Sequence, residues 1–119
     1  MDKEKQVKHH IIAGILIGLF ATIAMSSATA AVDADAAKAL AKSNDCFKCH
    51  AVDKEKKGPS LKKIAAKYKG KADGEDKAIK NMTTGVKVKL DDGKEEEHKI
   101  IDTKDPKQLK NLAQWILSH

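Results

Sequence analysis

Arginine is absent from this 119-residue chain and aromatic side chains are scarce. All 23 basic residues are therefore lysines, set against 17 acids for a formal net charge of +6. Lysine is a mobile, strongly hydrated point charge without the planar fork that grips phosphate, so this basicity favours loose docking to an acidic protein and argues against sequence-read nucleic acid. A merely solvated basic surface accounts for the same lysines. There are two cysteines, Cys46 and Cys49, too close in sequence to staple distant parts of the chain, which excludes a disulfide framework. Beyond residue 30 the aromatics are Phe47, Tyr68 and Trp115. These fill little of a small domain's core, so a bound cofactor is the expected missing filling. No internal repeat occurs, and the length allows one domain.

The first quarter reads as an address. Lys3, Lys5 and Lys8 precede an apolar run over 11–25, and Ala28-Thr29-Ala30 has the small-residue pattern of a cleavage site. Residues 1–30 are thus expected to be a signal peptide, leaving 31–119 as a domain in the periplasm. An uncleaved membrane anchor is the alternative, because the uncharged stretch approaches the roughly 20 residues that cross a bilayer. Its small, weakly apolar end suits a cleavage region better than a hydrocarbon core. The domain faces the far side of the membrane in both cases, and touches the membrane only if the leader stays.

Four helices are expected after the leader. Asp33 or Asp35 is placed to cap the first, which runs to about Ser43 with Ala34, Ala37, Leu40 and Ala41 on one face. Ser60, after Gly58-Pro59, caps the second, whose inner side carries Leu61, Ile64, Ala65 and Tyr68 until Gly70 stops it. A short third helix falls over 75–82. The last has Asp105 as N-cap, Pro106 at the first helical position, Gln108 completing a capping box, and Leu109, Leu112, Ala113, Ile116 and Leu117 on one face. Val86, Val88 and Leu90 alternate with lysines before Asp92-Gly93, which predicts a small β-hairpin insertion near 86–101. Its return segment, 94–99, is almost wholly charged, so the pairing is left open.

Cys46-Phe47-Lys48-Cys49-His50 is the pattern of covalent haem attachment. Two thiols in this spacing add to the porphyrin vinyl groups, and the histidine that follows is held under the ring to ligate iron. Three other readings compete. A redox dithiol wants a βαβ context that is missing here. Zinc held by Cys46, Cys49, His50 and His98 has usable ligands in an unusual spacing. A chance match or simple disulfide is the third.

In order along the chain, the capped helix, Cys46 to His50, Gly58-Pro59-Ser60-Leu61, a helix ending in Tyr68, and the terminal Leu112-Ala113-Gln114-Trp115-Ile116-Leu117-Ser118 resemble the class I bacterial c-type cytochromes, monohaem proteins. The resemblance implies an all-α, cytochrome c-like fold of about four helices around one haem c. It also implies that the first and last helices cross near the haem edge and that the Pro59 carbonyl accepts a hydrogen bond from the His50 imidazole. Tyr68 and Trp115 would be among the cofactor-binding residues. Family members usually carry a methionine followed by proline shortly before the last helix, whereas this chain has Glu95-Glu96-Glu97-His98-Lys99 there. His98 is accordingly the expected distal ligand opposite His50. Met82, the sole methionine after the leader, is the alternative, and an open sixth position the third; His119 reads as a mobile surface residue.

The reading is a periplasmic electron-transfer protein and not an enzyme. It would shuttle single electrons between redox proteins, with Lys48, Lys54, Lys56, Lys57, Lys62 and Lys63 rimming the haem edge for an acidic docking surface. A haem-based sensor with an open or weak sixth site is the rival. A peroxidase is disfavoured because a chain without arginine cannot supply a distal histidine–arginine pair.

Overall fold

The structure is a computed structural model and describes residues 30–119. The expected signal peptide, and the alternative anchor, lie outside the described residues. Four helices, α1 (Ala34–Ser43), α2 (Leu61–Tyr68), α3 (Gly74–Thr83) and α4 (Pro106–Leu117), are joined by a 3-10 turn at Cys46–Lys48 and a hairpin of β1 (Lys87–Lys89) and β2 (Glu95–Glu97).

Each helix starts where its local chemistry dictates. The Asp33 side chain accepts from the Ala36 N–H at 3.0 Å, satisfying a free donor at the start of α1. Asn111 of α4 then exchanges two bonds of 2.8 Å with the Asp33 backbone, which pins the start of α1 to the last helix. Ser60 caps α2 through the Lys63 N–H at 3.1 Å, and Asp105 caps α4 through the Lys107 N–H at 2.9 Å. The expected capping box fails. Thr103 intervenes: its hydroxyl accepts from the Asp105 N–H at 3.1 Å and donates to Gln108 at 2.5 Å, so Gln108 reaches the cap residue only through Thr103.

Helix α4 packs against α1, α2 and α3. The seams are lined by Ala37, Ala41, Ala78 and Ala113 with Leu61, Leu109 and Leu112, all buried, and alanine at a crossing lets backbones approach closely. Asn44 ends α1 as a buried polar knot, 3% exposed. Its amide donates to Leu40 O at 3.0 Å, and its oxygen accepts from the Asp102 N–H at 2.9 Å, bridging to the segment before α4.

The hairpin forms, and charge sets its pairing. Lys87 lies opposite Glu97, Val88 opposite Glu96, and Lys89 opposite Glu95. Unlike charges directly across an antiparallel pair stabilise that register, and like charges would oppose it. The ladder continues through His98 N–H to Val86 O at 2.8 Å and Leu90 N–H to Lys94 O at 2.8 Å, and Gly93 turns the loop at φ 84°.

Candidate functional site

The helices and hairpin enclose a cavity of about 920 Å³, at the upper end of the size of small-molecule sites. Every site residue expected from the sequence lines it: Cys46, Cys49, His50, Pro59, Tyr68, Met82, His98 and Trp115.

Cys46 to Lys48 form the 3-10 turn, preceded by Asp45 in the left-handed region at φ 58°. The turn places His50 at the head of a tight loop closed by the Gly58 N–H to Cys49 O bond of 2.9 Å. At Gly58 a β-carbon would stand 2.9 Å from His50 Cε1, so the loop passes the imidazole more closely than any side chain allows. His50 Nδ1 lies 2.7 Å from Pro59 O. A carbonyl oxygen only accepts, so Nδ1 carries the proton and Nε2 keeps its lone pair. Burial holds the His50 pKa below the ordinary imidazole value, with the Pro59 bond opposing and His98 adding to the lowering. The ring is therefore neutral at neutral pH, with its Nε2 lone pair available.

His98 lines the same cavity, just past β2. Its Nδ1 donates to Lys99 O at 2.9 Å, which frees its Nε2 in the same way. The two imidazole centroids stand 6.0 Å apart with planes inclined by 33°. Met82 is buried at the base of α3, 8% exposed, and its carbonyl accepts from the Ile101 N–H at 2.9 Å. Trp115 is 6% exposed and meets Phe47 edge-to-face at 6.3 Å.

The competing readings of the cysteines fare poorly. Burial raises the Cys46 pKa, the reverse of the lowered value that makes a reactive dithiol. Among the described residues no group of three or more His, Cys, Asp or Glu side chains converges as a zinc site would require. Free thiols, a neutral imidazole and a large, mostly apolar crevice fit a porphyrin instead.

Some residues depart from expectation. His119 is not mobile surface: it stacks edge-on against Trp115 at 4.8 Å and its Nδ1 bonds Trp115 O at 3.0 Å. Of the lysines expected to rim the haem edge, Lys48 and Lys63 do line the crevice; Lys48, Lys57 and Lys63 also make exposed ion pairs with Asp45, Glu96 and Glu55, and Lys56 donates to Phe47 O. Asn44 and Asn81, both lining the crevice, were not singled out from the sequence, where a lone asparagine on a helix carries no marker. No helix among the described residues is long and apolar enough to cross a membrane.

Comparison with known proteins agrees with this geometry. The family model described as Cytochrome c matches residues 34–119. The class 1 cytochrome MtoD from Sideroxydans lithotrophicus ES-1 superimposes with a TM-score of 0.71 at 63% identity, over 74% of this chain and 97% of that one. Cytochrome c-551 of Azotobacter vinelandii is 35% identical over 83 residues, 67% of this chain and 93% of that protein. Cytochrome c-552 of Nitrosomonas europaea is 48% identical over 58 residues, which span 48% of this chain and about half, 52%, of that protein. With the attachment pattern set on the wall of a porphyrin-sized crevice, these matches establish that the chain belongs to the cytochrome c family, as a class I monohaem c-type cytochrome with one covalent haem c.

Proposed function

We propose that this protein is a single-electron carrier of the periplasm, not an enzyme, whose haem is bound through Cys46 and Cys49 and ligated by His50 and His98. The leader over residues 1–30 supports the export. The single observation that carries the ligation is the 6.0 Å separation of the two imidazole rings, both of which line the crevice. Two imidazoles bound to one metal through Nε2, at bond lengths of roughly 2 Å, have centroids about 6 Å apart. Both rings also carry their proton on Nδ1 against a backbone carbonyl, the arrangement that orients a ligand and strengthens its basicity.

Bound haem supplies one-electron chemistry at iron. The chain's residues set its terms. Pro59 holds the His50 ring and tautomer, and Gly58 leaves that ring room. A second imidazole in place of a thioether lowers the potential relative to methionine-ligated relatives.

Docking to an acidic redox partner is best supported on the α1 side. A shallow apolar pit of about 290 Å³ is lined by Lys38, Ala39, Lys42, Phe47, Val52 and Trp115. Phe47 and Trp115 also wall the haem crevice, so a partner seated there lies close to the cofactor. Lys38 and Lys42 enter no ion pair among the described residues, unlike the tied lysines of the expected rim.

Near-infrared magnetic circular dichroism of the ferric holoprotein tests the ligation, with His98→Ala beside it. A bis-histidine band lost in the variant is expected. A histidine–methionine band indifferent to the substitution would transfer the site to Met82, and a high-spin signal in the unmutated protein would favour a ligand-binding sensor.

A further inference from the structure

The crevice has a polar corner away from the cysteines. Helix α2 begins beside the proximal loop, where the Leu61 N–H bonds Ala51 O at 2.8 Å, and runs about 12 Å to Tyr68. That length is comparable with the width of a porphyrin. At its end the Asn81 amide, from α3, donates to the Tyr68 hydroxyl at 3.0 Å. A hydroxyl that accepts still has its own proton to give, and the described residues offer that proton no acceptor. The Lys67 ammonium stands 5.2 Å from the centre of the Tyr68 ring. Of the α2 lysines on the crevice wall, Lys63 is tied to Glu55, while Lys67 enters no ion pair among the described residues.

One donor hydroxyl, one oriented amide and one uncommitted cation thus line the same corner of an otherwise apolar wall. On a porphyrin joined to Cys46 and Cys49 by its vinyl edge, the opposite edge carries two carboxylates. A carboxylate carried into a partly closed crevice needs donors, and charge-assisted bonds are the strong ones. We propose that the Tyr68 hydroxyl and the Lys67 ammonium hold a haem propionate, with Asn81 a positioning residue that aims the hydroxyl. The assignment rests on covalent haem attachment at Cys46 and Cys49 and is independent of which residue is the distal ligand.

Resonance Raman spectroscopy of the ferrous holoprotein reads the propionate bending bands directly. Tyr68→Phe keeps the ring and removes the donor; Lys67→Met keeps the stem and removes the charge. Lys62→Met removes an equal charge from an exposed position of α2 that does not line the crevice. The expected result is a shift of the propionate bands in Tyr68→Phe and Lys67→Met but not in Lys62→Met, with core-size marker bands unchanged. Propionate bands superimposable on those of the unmutated protein in both Tyr68→Phe and Lys67→Met would overturn the proposal. Magnetic circular dichroism on the same samples reports the axial ligands separately, so a failure of the His98 reading leaves this result legible.

Discussion

Replacing Gly58 by alanine tests whether the His50 ring is held as tightly as the geometry implies. The new β-carbon would stand 2.9 Å from His50 Cε1 and 3.2 Å from Nδ1. Carbon–carbon contacts are comfortable at about 3.5–4.0 Å, so the ring has to retreat by about 0.6–1 Å. A free side chain would do so cheaply, but this one is bonded to Pro59 O at 2.7 Å. Retreat carries that distance to about 3.5 Å, past the limit of a hydrogen bond. Overpacking costs about 1–3 kcal/mol and the lost bond about 0.5–1.5 kcal/mol, roughly 2–4 kcal/mol together. In a domain of this size that lowers Tm by about 10–30 °C. Guanidinium and thermal unfolding of the holoprotein, followed at the Soret band, measure it. The potential should rise as the ligand loses basicity. Stability within about 0.5 kcal/mol of the parent, at an unchanged potential, would refute the argument, since the ring would then have been free to move.

Reversing the acids of the hairpin, Glu95→Lys with Glu97→Lys, sets like charges opposite Lys89 and Lys87; each pair should cost about 0.2–1 kcal/mol in urea unfolding. Adding Lys87→Glu and Lys89→Glu should restore the loss, and no restoration would mean that charge does not set the register. Asn44→Ala strands the Asp102 N–H, at about 1–3 kcal/mol by chemical unfolding, while Leu40 O keeps the Asn44 N–H and the Ser43 hydroxyl. Asn44→Asp should also destabilise, because a carboxylate cannot donate to Leu40 O. Lys38→Glu with Lys42→Glu should slow stopped-flow electron transfer to an acidic redox protein, most at low salt, since screening acts over about 8–10 Å. Equal slowing by Lys69→Glu with Lys71→Glu, two exposed sites that do not line the pit, would show that net charge alone matters.

Helix positions were legible because caps and apolar spacing are local. Asp33, Ser60, Pro106 and the Leu109 to Leu117 stripe each act within one or two turns of themselves. The hairpin's two strands were half legible. Alternating valines marked β1, but Glu95–Glu97 resembles a solvated run until it is laid against Lys87–Lys89, a comparison across a turn that periodicity along the chain does not make. Gln108 was misread for a related reason: the sequence motif allows the capping box, and Thr103, outside that motif, takes its place. His119 looked like a loose end because nothing in its neighbours says that the Trp115 ring and carbonyl, one turn earlier, are both within its reach. The approach of His98 to His50 is likewise a tertiary fact, and along the chain His98 is one polar residue among charges.

The scarcity of aromatics and the breadth of the crevice are two sides of one arrangement. Helix seams built from Ala37, Ala41, Ala78 and Ala113 bring backbones close but remove little apolar area from water, and of the large side chains among the described residues only Leu112 is fully buried. Other large ones, Leu61, Ile64, Met82, Ile101 and Trp115, line the cavity. A porphyrin seated among them completes a core that the chain does not fill. Among the described residues the β strands pack on none of the helices, so in the bis-histidine reading a bond through His98 ties the hairpin to the helical body. In that reading a segment held by a metal bond and its own cross-strand charges would need no apolar face, and a run as polar as Glu95 to Lys99 could then carry the distal ligand.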